Sequence, residues 1–260
     1  MIHFSGSFAP DDLVVRQVDS SWHAPPEVVE LIEREWAAAL AKPGRLLFDG
    51  ELTRLESWRI EELTPSPCTQ GEGRGGGSSS SSRVRLHLDL SRTTYKTFLG
   101  TNLTHTELAD QYGSKILANP IGVSAALQST DGFLLLGRRN SRVAYYPNRI
   151  HPFAGSVAEP DVFAAMRREL AEELHFTDRD ITEIRCIGMA EDKHLRQPEL
   201  IFHVQSSLSR REIEERVDAT EHSGIVAIGA DQRSIEPLLP APELTPIGAA
   251  SLRLWIRSSK

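Results

Sequence analysis

Gly155-Ser156-Val157-Ala158-Glu159-Pro160-Asp161, then Val162 to Arg167, then Arg168-Glu169-Leu170-Ala171-Glu172-Glu173-Leu174-His175-Phe176, is the stretch from which the fold is read. Its periodicity predicts a helix from about Asp161 to Phe176. On a wheel of about 100° per residue, Phe163, Met166, Leu170 and Leu174 share one side, and Glu169, Glu172 and Glu173 gather beside it. Three carboxylates so close repel one another unless something neutralises them. A hard divalent cation does so: Mg²⁺ favours carboxylate oxygens and keeps water and substrate phosphate as its other ligands, with Mn²⁺ a possible substitute. Such an ion would screen a diphosphate and help activate an attacking water. Taken alone, the helix favours the ordinary alternative, a solvated acidic face in which Arg168 and Glu172 form an i,i+4 pair. Its surroundings favour the metal.

Upstream, Ile121 to Gln128 and Phe133 to Arg138 flank the turn Ser129-Thr130-Asp131-Gly132 and read as a hairpin. A loop rich in His, Pro and Gly is expected to run to Pro160. Downstream, strands are expected at Ile184 to Ala190, Glu199 to Ser206 and Gly224 to Ile228, with helices at Ser209 to Asp218 and Pro246 to Ile256. Strands alternating with helices in this way indicate an α/β or α+β sandwich.

The first sixty residues contain one convincing helix, about Pro26 to Ala41, which ends at Lys42-Pro43-Gly44. Strand-like runs follow at Leu52 to Leu63 and Arg83 to Leu90. Between them, a Gly-rich stretch from Gly71 and the five serines Ser78 to Ser82 have nothing to bury and read as a mobile hairpin loop. This stretch lacks the Gly-Lys-Ser/Thr ending that a phosphate-cradling loop needs. The expected division is an N-terminal portion of residues 1–115, carrying the 71–82 loop, and a second domain of residues 116–260.

With 260 residues, 40% apolar and 25% charged, the composition is that of a globular protein able to bury a sizeable core. A formal net charge of −7 argues against nonspecific attraction to nucleic acid or to an anionic membrane. Cys68 and Cys186 lack metal-ligand spacing, which argues against a disulfide scaffold or structural zinc and fits a reducing compartment. No basic leader followed by an apolar run opens the chain, and no 18-residue apolar stretch occurs, so a cytoplasmic protein is expected. Oligomeric state has no signature in the sequence.

The segment from Gly155 to Phe176 resembles the Nudix box, in which a Gly, five residues, a Glu and seven residues precede Arg-Glu-aliphatic-x-Glu-Glu-x-Gly-aliphatic. Two departures stand out. Gly155 is one residue too close to the Arg-Glu pair with Asp161 in the place of the first Glu, and His175 stands where the family has Gly. The resemblance implies an α/β/α sandwich with a mixed sheet and an N-terminal extension. It also implies Mg²⁺ held by Glu169, Glu172 and Glu173, with Arg168 orienting the glutamates. A second resemblance, carried by Arg92 to Asn102, Ala118 to Leu127 and Glu221-His222-Ser223-Gly224-Ile225, is to the UDP-glucose pyrophosphatase branch. It implies a nucleotide-sugar substrate, most specifically UDP-glucose cleaved to UMP and glucose 1-phosphate. ADP-ribose, a dinucleotide or a CoA derivative are the alternative substrates, and a catalytically silent nucleotide-binding module is the alternative from another class.

Glu199, in Pro198-Glu199-Leu200-Ile201-Phe202, resembles the Glu on the strand after the box that faces the metal, and a carboxylate entering an apolar run is a general-base candidate. An edge-strand Glu is nearly as good a reading. The catalytic candidates are therefore Glu173, Glu172, Arg168 and Glu199. Arg138 and Arg139 follow the hairpin strand, as does Arg142, where guanidinium groups could clamp a diphosphate. Tyr95 and Asn102 are candidates for contacting uracil, although Tyr95 also reads as a core residue of a short helix. Gly155 belongs to the loop that floors the substrate. Scattered histidines, His151, His175, His194, His203 and His222 among them, show no HExxH spacing and read as satisfied surface or core residues.

Overall fold

The computed structural model describes residues 1–42, 47–63, 83–143 and 145–259. The strands, in chain order, are β1 (Ile2–Phe8), β2 (Leu13–Gln17), β3 (Glu51–Leu63), β4 (Arg83–Thr94), β5 (Gly122–Gln128), β6 (Phe133–Arg139), β7 (Ile150–His151), β8 (Phe153–Ser156), β9 (Ile181–Asp192), β10 (Gln197–Ser206) and β11 (His222–Gly229). The α-helices are α1 (Pro26–Leu40), α2 (Tyr95–Phe98), α3 (Leu108–Tyr112), α4 (Val162–Leu174), α5 (Arg210–Glu214), α6 (Gln232–Ile235) and α7 (Pro246–Ser258).

Eight strands form the main sheet in the order β1-β9-β10-β5-β6-β11, with β7 beside β6 and β8 beside β5. β10 runs parallel to β5 and antiparallel to β9, so the sheet is mixed, as expected. Alternation along the central strands divides the core into two. Val123, Ala125 and Leu127 of β5 and Leu200, Phe202 and Val204 of β10 meet Phe163, Met166, Leu170 and Leu174 of α4. Ala126 and Ile201, pointing the other way, meet Ile247, Leu252, Leu254 and Trp255 of α7. The result is an α/β/α sandwich, because a period-2 strand offers one apolar set to each helix layer.

A second sheet, β2-β4-β3, comes from the N-terminal portion, and Leu86, Leu88 and Leu90 of β4 point into the α4-side core. The first nine residues extend this mixing further. β1 pairs with β9 and closes one edge of the main sheet, with Phe4 and Phe8 buried against the core. Neither β1 nor β2 was expected from the sequence. The run Ile-His-Phe-Ser-Gly-Ser-Phe is weak as an isolated strand and is set by the edge of β9 it covers. The loop expected before Pro160 likewise contains β7 and β8, short strands held by pairing with β6 and β5 and by burial of Ile150 and Phe153. The predicted 71–82 loop and the chain at Pro43-Gly44 lie outside the described residues. Among the described residues no helix is long and apolar enough to cross a membrane.

Candidate metal centre and active site

Helix α4 starts where Asp161 accepts hydrogen bonds from the Phe163 and Ala164 amides, at 2.9 and 3.0 Å. Such a cap satisfies two of the helix's unpaired donors. It explains why a carboxylate at this position acts as a cap. The helix ends at His175, in the left-handed region with φ 53° and ψ 34°, while the 175 and 176 amides bond back to Ala171 and Leu170. His175 thus adopts the conformation that the Gly of the box would supply.

Between these ends, Glu169 and Glu173 lie one turn apart on the buried side of α4, and Glu172 faces outward. Arg168 gathers the outer carboxylates: Nη1 donates to Glu169 at 2.7 Å and reaches Glu172 at 3.3 Å, and Nε is 3.4 Å from Glu159. Its Nη2 donates to the Ser156 carbonyl at 2.8 Å, fixing the arginine to the loop before the helix. Against the burial that disfavours its charge, Glu169, Glu159 and Glu172 hold the guanidinium more firmly protonated than usual. Arg168 thus ties Glu169, Glu172 and Glu159 to the loop before the helix.

Glu169 packs on Gly155 in β8. A methyl group there would sit 2.0 Å from the Glu169 carboxyl carbon, so the carboxyl can lie where it does only because residue 155 has no side chain. Glu173 accepts from the Ala154 amide at 3.2 Å through Oε2, and its Oε1 has no hydrogen-bond partner among the described residues. From the centre of the sheet, Glu199 on β10 adds a third buried carboxylate beside Gly122 of β5, again with Oε1 unpaired. Burial pushes both Glu169 and Glu199 up to about 7, and burial together with the neighbouring Glu221 raises Glu173 well above the usual carboxylate range.

Arg139, at the end of β6, is the cation whose field reaches Glu173, Glu199, His151 and His222. It is buried, lies 4.9 Å from the centre of the Tyr145 ring, and leaves Nε unpaired. Arg138 points elsewhere: it is half-buried and donates to the Asn148 carbonyl at 3.3 Å.

Two candidates have other employment. Asn102 is fully buried, donates to the Leu195 carbonyl at 2.9 Å and accepts from the Asn119 amide at 3.2 Å. Its amide joins three chain segments and is not free for a base. Tyr95 stacks edge-on between Trp36 and Phe98, at 6.3 Å from each. This is the core reading of the short helix.

Sequence reading takes Glu221 and His222 only as part of the second resemblance and His222 as a satisfied residue, whereas the structure leaves its ring nitrogens without a hydrogen-bond partner among the described residues. His222 is 2% exposed, and its Nε2 lies 3.4 Å from Glu173 Oε2. Burial pulls its pKa down to about 4, which leaves the imidazole neutral. The donor atoms of Glu173, Glu221 and His222 all lie within 4.8 Å of one another. The pair Glu221-His222 at the start of β11 is the signal in the sequence, and no spacing rule links it to residue 173. A cavity of about 830 Å³ lies elsewhere: its walls include Glu51, Thr53, Arg92, Ala158 and Pro160 but none of the buried glutamates. It borders the loop that leads into α4.

No family model matches the chain. Uridine diphosphate glucose pyrophosphatase NUDT22 of Bos taurus is 26% identical over 207 residues, which cover 65% of this chain and 71% of that protein. The protein of the same name from Mus musculus is 27% identical over 216 residues, 70% of this chain and 65% of the relative. These relatives agree with the box carried by α4. The chain is similar to this pyrophosphatase and, through α4, resembles the Nudix superfamily. Among solved structures, the MutT protein of Methanosarcina mazei Go1 is 19% identical with a TM-score of 0.41, over 54% of this chain and 95% of that one. A mutT/nudix family protein from Listeria innocua is 17% identical with a TM-score of 0.41, over 54% and 94%.

Proposed function

We propose that this chain is a Mg²⁺-dependent pyrophosphohydrolase of the Nudix type acting on nucleoside diphosphate sugars, with UDP-glucose as its foremost substrate. The observation that carries the reading is the set of buried carboxylates on α4 and β10, two of which leave an oxygen unpaired and lie in the field of Arg139. A dry, unpaired carboxylate oxygen costs more than the ~1–3 kcal/mol of a neutral polar group, and a cation removes that cost. An all-oxygen donor set on a rigid helix fits a hard divalent ion. Glu169 and Glu173 would hold it, with Glu172 contributing from the rim and Mn²⁺ able to substitute. When bound, the ion supplies charge screening for the diphosphate and a more acidic water.

The chain's own residues do the rest. Arg168 fixes Glu169 and Glu172 in place, and Gly155 lets β8 come close enough for Glu169 to turn into the site. Arg139 provides a positive field next to carboxylates that would otherwise repel a diphosphate, and Arg138 lies beside it on the same strand. In this reading Glu199 accepts the proton that water gives up as its oxygen bonds to phosphorus and the bridging P–O bond breaks. In UDP-glucose this yields UMP and glucose 1-phosphate. Substrate choice rests on the relatives, whose name specifies uridine diphosphate glucose.

Incubation with Mg²⁺ and UDP-glucose, ADP-ribose, a dinucleotide and a CoA derivative, following nucleoside monophosphate release, tests the reading. Preferential release of UMP from UDP-glucose is expected. Release only from the other compounds would move the substrate, and binding without turnover would make the chain a silent module. Glu199→Gln is expected to lower turnover by about 10²–10⁴-fold. A variant with undiminished turnover would remove Glu199 as the proton acceptor.

A further inference from the structure

Two backbone hydrogen bonds tie the segment before β11 to helix α4 at Glu173. The Asp218 amide donates to the Glu173 carbonyl at 2.8 Å, and the His222 amide donates to the Asp218 carbonyl at 3.2 Å. The Asn140 amide holds the Glu221 carbonyl at 2.8 Å from the other side. The three ties bring Glu221 and His222 to residue 173 by backbone geometry, whatever their side chains do.

The side chains then form an unusual group. The His222 imidazole lies with Nδ1 against the Cα of Gly137, where an added methyl group would be 2.2 Å away, and Phe153 packs edge-on at 5.2 Å. These neighbours fix the ring so that Nε2 faces Glu173 at 3.4 Å. His222 is thus an unpartnered polar side chain, 2% exposed and aimed at a carboxylate that also has an unpaired oxygen. Glu221 is exposed and completes the group from the solvent side. Metal bonds of about 2.1 Å place adjacent donor atoms roughly 3 Å apart, so a modest swing of the Glu221 carboxylate closes a group now within 4.8 Å.

We propose that Glu173, Glu221 and His222 form a mixed carboxylate–imidazole site for a transition-metal divalent ion. The site shares Glu173 with the magnesium set proposed above and deepens that reading. An imidazole nitrogen is a borderline-soft donor, which Mg²⁺ takes poorly and Co²⁺ or Zn²⁺ takes well. The buried wall supplies two fixed donors, and exposed Glu221 gives an ion its way in from water.

The test is a Co²⁺ titration of the whole chain without substrate, read by visible absorption and calorimetry, with Mg²⁺ titrated separately. Wild type is expected to show Co²⁺ ligand-field bands and to bind Co²⁺ at least about tenfold more tightly than Mg²⁺. His222→Gln and Glu221→Gln should each weaken Co²⁺ binding by about 10–100-fold, and His222→Gln should leave Mg²⁺ affinity within about twofold. Because Glu221 is exposed, its variant reports even if the buried His222 variant does not fold. Co²⁺ affinity and spectrum unchanged in Glu221→Gln, or in a folded His222→Gln, would overturn the site. If UMP release with Mg²⁺ persists alongside that result, the hydrolase reading stands without the site. If UMP is never released but both variants lose Co²⁺, the site stands without the hydrolase reading.

Discussion

At Gly155 the missing side chain is what the site uses. β8 is held by pairing with β5, and the Glu169 carboxyl occupies the space where a methyl group would lie, at 2.0–2.2 Å. Gly155→Ala should therefore displace the flexible carboxyl more readily than the strand. Thermal stability should fall only slightly, while the Mg²⁺ concentration giving half-maximal turnover rises by about 10–100-fold; an unchanged Mg²⁺ requirement would show that Glu169 is not a ligand. A second buried charge serves the fold. Arg54, 1% exposed, donates to Glu56 at 3.0 Å and to the Leu117 and Lys115 carbonyls, and so joins β3 to the chain that enters β5. Burial raises the Glu56 pKa, but hydrogen bonds from Ser21 and Ser91 and the Arg54 charge outweigh it and hold the carboxyl below its ordinary range. A depressed carboxylate contributes stability that is present above its unfolded pKa, about 4.3, and is lost as pH falls through the lower folded value. Denaturant titrations should show wild type weakening below about pH 4.3, with Glu56→Gln losing that part of the slope. At neutral pH the variant should be about 3 kcal/mol less stable, because it leaves Arg54 buried without its counter-charge. Parallel pH profiles would contradict this assignment.

Helix α4 shows which elements can be read from local sequence. Its apolar period, the acid at Asp161 and the unusual His175 are all local, and the expected span Asp161 to Phe176 differs from Val162–Leu174 only by its caps. Asp161→Ala should cost about 1 kcal/mol. His175→Gly should gain about 0.5–1 kcal/mol, since an L-residue at φ 53° carries strain that glycine lacks. A urea midpoint that falls in His175→Gly would show that the imidazole makes a compensating contact. β1, β7 and β8 could not be read in this way, because their residues become strands only against β9, β6 and β5. The same limit applied to the site. Glu169, Glu172 and Glu173 share one helix and could be found from spacing, whereas His222 reaches Glu173 only through the tie at Asp218. Tyr95 and Asn102 had the right chemistry for a base, but their surroundings assign them to the core and to backbone carbonyls.

Across the whole molecule, the N-terminal portion and the sandwich share one core. β4 contributes Leu86, Leu88 and Leu90 to the α4 side, and β1 covers the β9 edge with Phe8 at 1% exposure. Residues 116–260 expressed alone would bare an edge strand and an apolar face, and are expected to aggregate or to lack a cooperative unfolding transition. A soluble, cooperatively folded fragment would show that the two portions are separable. Phe8→Ala should cost the intact chain about 3–5 kcal/mol. Sequence reading placed the two portions in order but not their shared core, because the contacts join residues far apart in the chain. All of this architecture holds Glu169, Glu173 and Glu199 out of water, Glu173 and Glu199 each with one oxygen unpaired, and the central claim is that a divalent ion answers that arrangement. The most direct measurement is UMP release from UDP-glucose as Mg²⁺ is titrated, in wild type and in a Glu172→Gln, Glu173→Gln double variant. The account predicts saturable Mg²⁺ dependence in wild type and a loss of at least about 10²-fold in the double variant. Undiminished turnover in the double variant, or in wild type with the metal chelated, would contradict it.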